Sequence, residues 1–174
     1  MSSKVGNQTA YGSYGNLFGT NCVQGAGDIF VIPTGVGVSM SLWARDDGAS
    51  RNLQMAVYKT DGTLVAYTNT VAVNSDTPQW WTATFNGAAN FDGSDYYLVA
   101  NPETQGGGSG LFGYGTEGSL DMVYCAKTFG TWANLTWSKA LTGYRIGIYV
   151  TYNPPVVSTK SSKNAQRMLA LGLI

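Results

Sequence analysis

The sequence predicts an all-β fold, an antiparallel two-sheet jelly-roll sandwich. Short stretches of alternating apolar and polar residues recur over residues 28–101, and Gly, Asp and Asn turns separate them, which is the pattern of a sandwich or barrel. The composition agrees, because the 174 residues include 23 glycines and 13% aromatic residues but only 11% charged residues. Strands favour aromatic and branched side chains, and turns favour glycine. The length suits one domain with a hydrophobic core.

The individual strands follow from this alternation. In the segment VGVSMSL, the residues Val36, Val38, Met40 and Leu42 alternate with glycine and serine, which predicts that these four side chains share one buried face. The other predicted strands of this region are DIFVI, NLQMAVYKT, DGTLVAYTN, QWWTATFN and SDYYLVAN. The Asp-Gly pair that opens DGTLVAYTN predicts a tight turn.

The later part of the chain predicts further strands. The adjacent Trp80 and Trp81 must point to opposite sides of their strand, so we predict that one lies in the core and the other nearer to solvent. After a glycine-rich loop, residues 104–110, the segment LDMVYCA predicts a strand, residues 128–143 predict a loop or short strand, and residues 144–152 predict the closing strand. The total is eight or nine strands, as expected for a jelly roll.

The two ends of the chain differ from the middle. We predict an N-terminal arm over residues 1–20, the sandwich over residues 21–153 and a C-terminal docking tail over residues 154–174. In the arm, Tyr11, Tyr14 and Phe18 are spaced among glycines and small polar residues. The arm is either flexible or ordered against a neighbouring subunit, with its aromatic residues as anchors.

The tail that follows the double proline is first basic and then apolar. It carries Lys160, Lys163 and Arg167 with no acid, whereas the rest of the chain has seven basic and ten acidic residues, a net of −3. Arg167 leads into the apolar residues Met168, Leu169, Leu171, Leu173 and Ile174. A segment of this length is marginal as an isolated helix in water, so it must dock on its own domain or on another chain. Because the prolines separate it from the sandwich, we predict docking on another chain or subunit.

Charge and hydropathy exclude several partners. Ten basic and ten acidic residues give a net charge of zero, and nucleic-acid binding normally rests on a basic surface, so we predict no nucleic-acid partner. No stretch approaches the roughly 20 apolar residues of a membrane span, so we predict no membrane partner. The N-terminus has no apolar run after Lys4, so it is not a signal peptide. Either a leader has been removed, or the protein is made in a cytoplasm and reaches its destination by assembly or lysis.

The chain has few candidates for catalysis. It contains no histidine, which removes histidine-based nucleophilic catalysis and His-ligated zinc. A glycosidase needs only two carboxylates, but most acids stand in turn sequences such as Asp46-Asp47-Gly48, Asp61-Gly62 and Asp92-Gly93, where a short side chain forms the turn. We therefore predict no enzymatic activity, no cofactor and no metal site. Calcium at Asp46 and Asp47, or at Asp92 and Asp95, is the weaker alternative.

The two cysteines are Cys22 and Cys125. They are too few and too far apart in sequence for a structural metal site or a disulfide framework. We predict two buried thiols, with a single long-range disulfide as the alternative. The distance between the two Cα atoms determines whether a disulfide can form.

Aromatic residues are the candidates for a ligand site. An aromatic ring can stack on a sugar ring while a few polar groups fix its orientation. The residues predicted to bind a glycan in this way are Trp80, Tyr114, Trp132 and Trp137, with Trp81 and Tyr124 as further candidates. The alternative for each is a place in the core of the sandwich.

Part of the sequence resembles a known kind of module. The segment RNLQMAVYKTDGTLVAYTN, followed by WWTATF and SDYYLVANPE, resembles a jelly-roll module of bacterial secreted proteins and phage structural proteins that is similar to carbohydrate-binding modules. The matching residues are Ala56-Val57-Tyr58, Leu64-Val65-Ala66, Trp81 to Phe85 and Tyr96 to Ala100. The resemblance covers residues 28–101, and it implies a fold rather than a ligand site.

The ends of the chain look more like those of a virion component than those of a secreted module. We therefore expect a non-enzymatic virion structural or decoration protein, a capsid or tail appendage that is made in the host cytoplasm. Its expected partners are other virion chains or copies of itself, bound through the arm and the tail, with a surface glycan as a further partner. The alternatives are an extracellular carbohydrate-binding module, alone or secreted, and a glycan-active enzyme.

Overall fold

The computed structural model describes residues 1–15, 22–25, 28–46, 48–103 and 112–156. These residues form fourteen strands: β1 (Ser3–Asn7), β2 (Ser13–Gly15), β3 (Cys22–Gly25), β4 (Phe30–Val31), β5 (Gly35–Ala44), β6 (Arg51–Lys59), β7 (Leu64–Tyr67), β8 (Val71–Val73), β9 (Gln79–Thr84), β10 (Asn90–Phe91), β11 (Asp95–Pro102), β12 (Phe112–Ala126), β13 (Ser138–Ile146) and β14 (Ile148–Asn153). The number exceeds the predicted eight or nine, in part because short strands such as β2 and β10 lie outside the predicted strands. No helix in these ranges has the length and hydropathy to cross a bilayer.

The predicted all-β, antiparallel two-sheet sandwich is confirmed. In one sheet, β5 lies between β14 and β9, and β1 pairs with the free side of β14. In the other sheet, β11 lies between β6 and the short strands β3 and β4, and β7 and β8 pair with β6. The long strand β12 links the sheets, because its first residue pairs with β5 and its end pairs with β3. This arrangement is compatible with a jelly roll.

The core lies between the two sheets and follows the two-residue period of the strands. From one sheet come Met40 and Leu42 of β5, and from the other come Met55 of β6 and Leu98 of β11, all with no exposed surface. The prediction that the adjacent tryptophans point to opposite sides of their strand is confirmed. Trp81 packs against this core, whereas Trp80 lies beside Trp43 of the neighbouring strand on the outer face.

The predicted buried face of β5 is correct only for its second half. Val36 and Val38 are 50% and 39% exposed. The register with β14 shifts between the pairs Ser39–Thr151 and Gly37–Tyr152, so Val38 is an extra residue in the ladder. Such a bulge moves the residues before it to the opposite face.

The described part of the predicted N-terminal arm pairs with strands of the sandwich. Strand β1 pairs with β14 over five residues, from Ser3–Tyr152 to Asn7–Ile148, and β2 pairs with β12. Residues 1–15 therefore belong to the sandwich. The pairing also brings Ser3 to the same end of the sheet as Asn153, where β14 ends.

The last strands also differ from the prediction. The predicted closing strand over residues 144–152 is divided at Gly147 between β13 and β14, and residues 128–143, predicted as a loop or short strand, contribute the first part of β13. Gly147 is tightly enclosed: a Cβ atom on it would lie 2.4 Å from the carbonyl oxygen of Thr9 and 3.0 Å from the Cβ atom of Trp43. Only glycine allows the two backbone segments to approach so closely.

Candidate functional site

Two of the predicted glycan-binding residues, Trp132 and Trp137, lie in a second apolar cluster on the outer face of the β6–β11 sheet. We call the side chains of Tyr58, Tyr67, Tyr97, Trp132 and Trp137 the outer aromatic cluster. Trp132 stacks on Tyr67 with ring centroids 5.7 Å apart and an interplanar angle of 16°. Trp137 meets Tyr58 and Tyr97 edge to face at 5.2 and 5.4 Å. Both tryptophans are half-buried and pack against these tyrosines.

The loop that carries both tryptophans is hydrogen-bonded to the same sheet. The backbone N–H of Leu135 donates to the carbonyl of Gly62, and the N–H of Leu64 donates to the side-chain oxygen of Asn134. The hydroxyl of Tyr58 donates to the carbonyl of Ala133 at 3.1 Å. Burial raises the pKa of the Tyr58 hydroxyl far above its usual range, with a smaller contribution from Cys125. The loop therefore covers a small apolar cluster that is separate from the main core.

The third predicted glycan-binding residue, Trp80, belongs to a separate aromatic group. Its ring lies 5.5 Å from that of Trp43 and 4.8 Å from that of Tyr149, and all three residues face outward from the β14–β5–β9 sheet. The Lys4 ammonium stands over the Tyr149 ring at 4.5 Å, a cation–π contact. Trp80 is half-buried, so part of its surface is open.

The fourth, Tyr114 on β12, pairs with Ile146 of β13 and packs partly against the main core. Its ring lies 5.4 Å from that of Tyr144 at an angle of 50°. The structure therefore brings Trp132 and Trp137 together but places Trp80 and Tyr114 elsewhere. The four predicted residues do not form one shared site.

Two aromatic residues of the predicted docking arm, Tyr11 and Tyr14, make contacts within the chain. Tyr11 is 8% exposed, and its hydroxyl accepts a hydrogen bond from the Asn7 side chain. The indole N–H of Trp43 donates to the Tyr11 carbonyl at 2.8 Å and to the Tyr14 hydroxyl at 3.0 Å. The Arg45 guanidinium covers the ring of Tyr14 at 4.4 Å. These contacts leave Tyr11 little surface with which to anchor another subunit.

Several predicted docking residues lie outside the described part of the chain. They are Phe18, Arg167, Met168, Leu169, Leu171, Leu173 and Ile174. Residues 104–110 and Asp47 lie outside it as well. The prediction that the tail docks on another chain therefore stays a prediction, and the described residues bear on it only through the surface at the point where the tail begins.

That surface is a groove at the end of β14. We call it the tail groove: it has a volume of about 550 Å³ and is lined by Thr34, Gly35, Val36, Asn90, Phe91, Asn153, Pro154, Pro155 and Val156. Val36 is 50% exposed and Val156 is 93% exposed, whereas Phe91 is buried. Sequence reasoning missed this groove because the alternation in VGVSMSL places Val36 in the core. The exposed valine follows from the bulge at Val38, for which the sequence offers no plain signal.

A polar cleft borders the tail groove. We call it the acidic cleft: it has a volume of about 430 Å³ and is lined by Lys59, Thr60, Asp61, Gly93, Ser94 and Asp95. A Cβ atom on Gly93 would lie 3.8 Å from the hydroxyl of Thr34, which lines the groove. The two hollows therefore share the turn between β10 and β11.

The carboxylates of the cleft are held by short-range hydrogen bonds. Hydrogen bonds from Ser94, then Tyr96, then Lys59 hold the pKa of Asp92 well below its usual range. The Lys59 ammonium lies 2.9 Å from Asp92, and this hydrogen bond raises the pKa of Lys59. Among the described residues, this rim carries three carboxylates, those of Asp61, Asp92 and Asp95, and one ammonium group, that of Lys59. Its net charge is therefore negative.

The prediction that the acids form turns is confirmed at three positions. Asp46, Asp61 and Asp92 each accept a hydrogen bond from the backbone N–H two residues later, at distances of 3.1, 2.8 and 3.0 Å. Within the ranges that the structure describes, no group of three or more Cys, Asp or Glu side chains is placed to hold a metal ion. Cys125 is a free, half-buried thiol, so the predicted full burial is not observed for it.

Comparison with models of known protein families finds no match for this chain, and comparison with curated protein sequences finds none either. Of the surfaces described above, the tail groove with its acidic rim is the one that combines exposed apolar side chains with a hollow. It lies where the chain leaves the sandwich, beside the first strand.

Proposed function

We propose that this chain is a non-enzymatic structural protein of a phage particle, a decoration or appendage protein that displays its sandwich and is attached through the end that carries the tail groove. The observation that carries this proposal is the apolar surface at that end, where Val36 and Val156 are exposed around a groove of about 550 Å³. Exposed apolar surface of this kind marks sites of interaction.

Three features support attachment at this end. Ser3 pairs with Tyr152, so the first strand and the start of the tail lie side by side there. The tail that begins there ends in five apolar residues, from Met168 to Ile174, which need a surface to cover them. The resemblance of residues 28–101 to modules of bacterial secreted proteins and phage structural proteins is compatible with a virion component.

The proposal revises the part that the N-terminal arm was expected to take. Tyr11 and Tyr14 are committed to Trp43 and Asn7 at the opposite end of β1. Attachment is therefore assigned to the C-terminal side alone, and the face with Trp80 and Tyr149 is displayed. A non-enzymatic role fits the acids, because Asp46, Asp61 and Asp92 are engaged in turns.

The proposal is tested on purified particles. If the phage whose genome encodes this chain is purified by density gradient, mass spectrometry is expected to find the chain in a fixed copy number relative to the major capsid or tail protein. A soluble host protein mixed in as a tracer gives the background of carry-over. Loss of the chain from the particles at the same rate as the tracer would contradict a virion role.

Glycan binding is a second candidate, favoured by the open surface of Trp80 beside Trp43 and Tyr149. This group has the mixed aromatic and polar character that sugar recognition uses, with Lys4 as a nearby donor. A glycan array with the intact chain and with Trp80→Ala separates this candidate from a purely structural role, since only specific binding that the variant loses supports it.

A further inference from the structure

The end of the sandwich that we assign to attachment has two parts of different chemistry. The tail groove is lined by Val36, Phe91 and the two prolines at the start of the tail. The adjoining acidic cleft is lined by Asp61 and Asp95. A partner that fits both must present apolar side chains and, close to them, positive charge. Such a pairing places the charged contacts on the rim and the apolar contacts in the middle, as in most protein interfaces.

The chain itself contains a segment with this chemistry. Lys160, Lys163 and Arg167 bring three positive charges with no acid among them, and the apolar residues Met168, Leu169, Leu171, Leu173 and Ile174 follow directly. The rest of the chain carries a net charge of −3. The tail and the sandwich are therefore complementary in charge, and complementary potentials guide association and fix its register.

We propose that the tail groove of one copy binds residues 160–174 of a second copy, with Lys160, Lys163 and Arg167 against the acidic cleft and the apolar end in the groove. This inference rests on the proposed function and names the partner at the attachment end. If the exchange is reciprocal, the two copies form a closed pair about a two-fold axis, the commonest symmetry of soluble oligomers.

Exchange between copies is favoured over folding back because of the way the chain leaves the sandwich. Pro154 and Pro155 fix their own backbone in the extended range, and each restricts the residue before it to extended conformations. Both prolines line the groove, so the start of the tail is held in extended backbone at the groove itself.

The reach of the tail suffices for such an exchange. Arg167 stands eleven positions after Val156, and an extended chain over that many residues spans up to about 36 Å. A basic residue can therefore meet the acidic cleft of a neighbouring copy while the apolar end continues into its groove. The reach would also allow docking on the same copy, so the test must separate the two arrangements.

The experiment measures the mass in solution by size-exclusion chromatography with light scattering. We expect the full chain to show at least twice its monomer mass of 18.5 kDa, and the chain truncated after Val156 to show the mass of a single copy. Val36→Asn is expected to raise the dissociation constant of the oligomer at least tenfold. The matched control is Ile29→Asn, since Ile29 is 54% exposed and lines neither the tail groove nor the acidic cleft.

Mixing two defective chains identifies exchange. The truncated chain keeps an intact groove, and the Val36→Asn chain keeps an intact tail, so native mass spectrometry of the mixture is expected to show a one-to-one complex that neither forms alone at the same concentration. A full chain with the mass of a single copy would overturn the inference. So would an oligomer that survives truncation.

These results are separable from the proposed function. A monomeric full chain that still loses particle attachment on truncation would refute exchange between copies and leave the proposed role in place. An oligomer that requires the tail but is absent from purified particles would refute the role and leave the exchange in place.

Discussion

Replacing Gly62 with alanine is expected to lower the free energy of unfolding by about 3 kcal/mol. Gly62 has a φ angle of +87°, and a Cβ atom there would lie only 1.9 Å from the carbonyl oxygen of Leu135. The substitution must therefore strain the turn and push away the loop that covers the outer aromatic cluster. Urea denaturation monitored by tryptophan fluorescence measures the change.

Gly87→Ala is the matched control for that experiment. Gly87 has a comparable φ of +102°, but a Cβ atom on it would meet no other atom within 4 Å. Its replacement adds backbone strain alone, which costs about 1 kcal/mol. Equal losses in the two variants would show that the contact between Gly62 and the Leu135 segment contributes nothing to stability.

The second large effect is expected at Trp137, where Trp137→Ala lowers the free energy of unfolding by about 3 kcal/mol. The ring makes two edge-to-face contacts, with Tyr58 and Tyr97, which themselves are buried. Replacing a tryptophan that served only as an exposed ligand platform would lower the free energy of unfolding by no more than about 0.5 kcal/mol. The size of the loss therefore distinguishes a packing role from a glycan-binding role.

Trp137→Phe sharpens this test. The indole nitrogen of Trp137 is buried and has no hydrogen-bond partner among the described residues. Phenylalanine keeps an aromatic ring and removes this donor, so Trp137→Phe is expected to lower the free energy of unfolding by only about 1 kcal/mol. A loss as large as that of Trp137→Ala would indicate that the indole nitrogen does make a stabilising interaction.

The regular features of the fold could be predicted because they depend on neighbouring residues. The alternation of Leu53, Met55 and Val57 fixes which face of β6 points into the core between the sheets, and the Asp61-Gly62 pair fixes the turn that follows. The opposite orientation of Trp80 and Trp81 follows from the geometry of any strand. Each of these features needs only a few consecutive residues.

The features that were missed depend on contacts between distant parts of the chain. The bulge at Val38 arises from the register with β14, more than 100 residues later in the chain. The pairing of Ser3 with Tyr152 joins the first strand to the last. A segment rich in glycine and polar residues, such as residues 1–15, has little hydrophobic alternation of its own, so only its partner strand reveals it as part of a sheet.

The candidate sites show the same division. The sequence identifies Trp132 and Trp137 as large aromatic residues in a loop, and such residues fit an exposed platform and a satellite core equally well. In the folded chain the two tryptophans pack against Tyr58, Tyr67 and Tyr97. The tail was visible in the sequence as a segment in need of a surface, whereas the groove that could receive such a segment required the folded sandwich.

The most direct test of attachment through the tail end compares particles assembled with the full chain and with the chain that ends at Val156. The truncation leaves all fourteen described strands intact, and circular dichroism of the purified variant confirms that it is folded. We predict that quantitative mass spectrometry finds the full chain in the particles and the truncated chain only at the level of background carry-over. Incorporation of the truncated chain at the same copy number as the full chain would contradict attachment through this end.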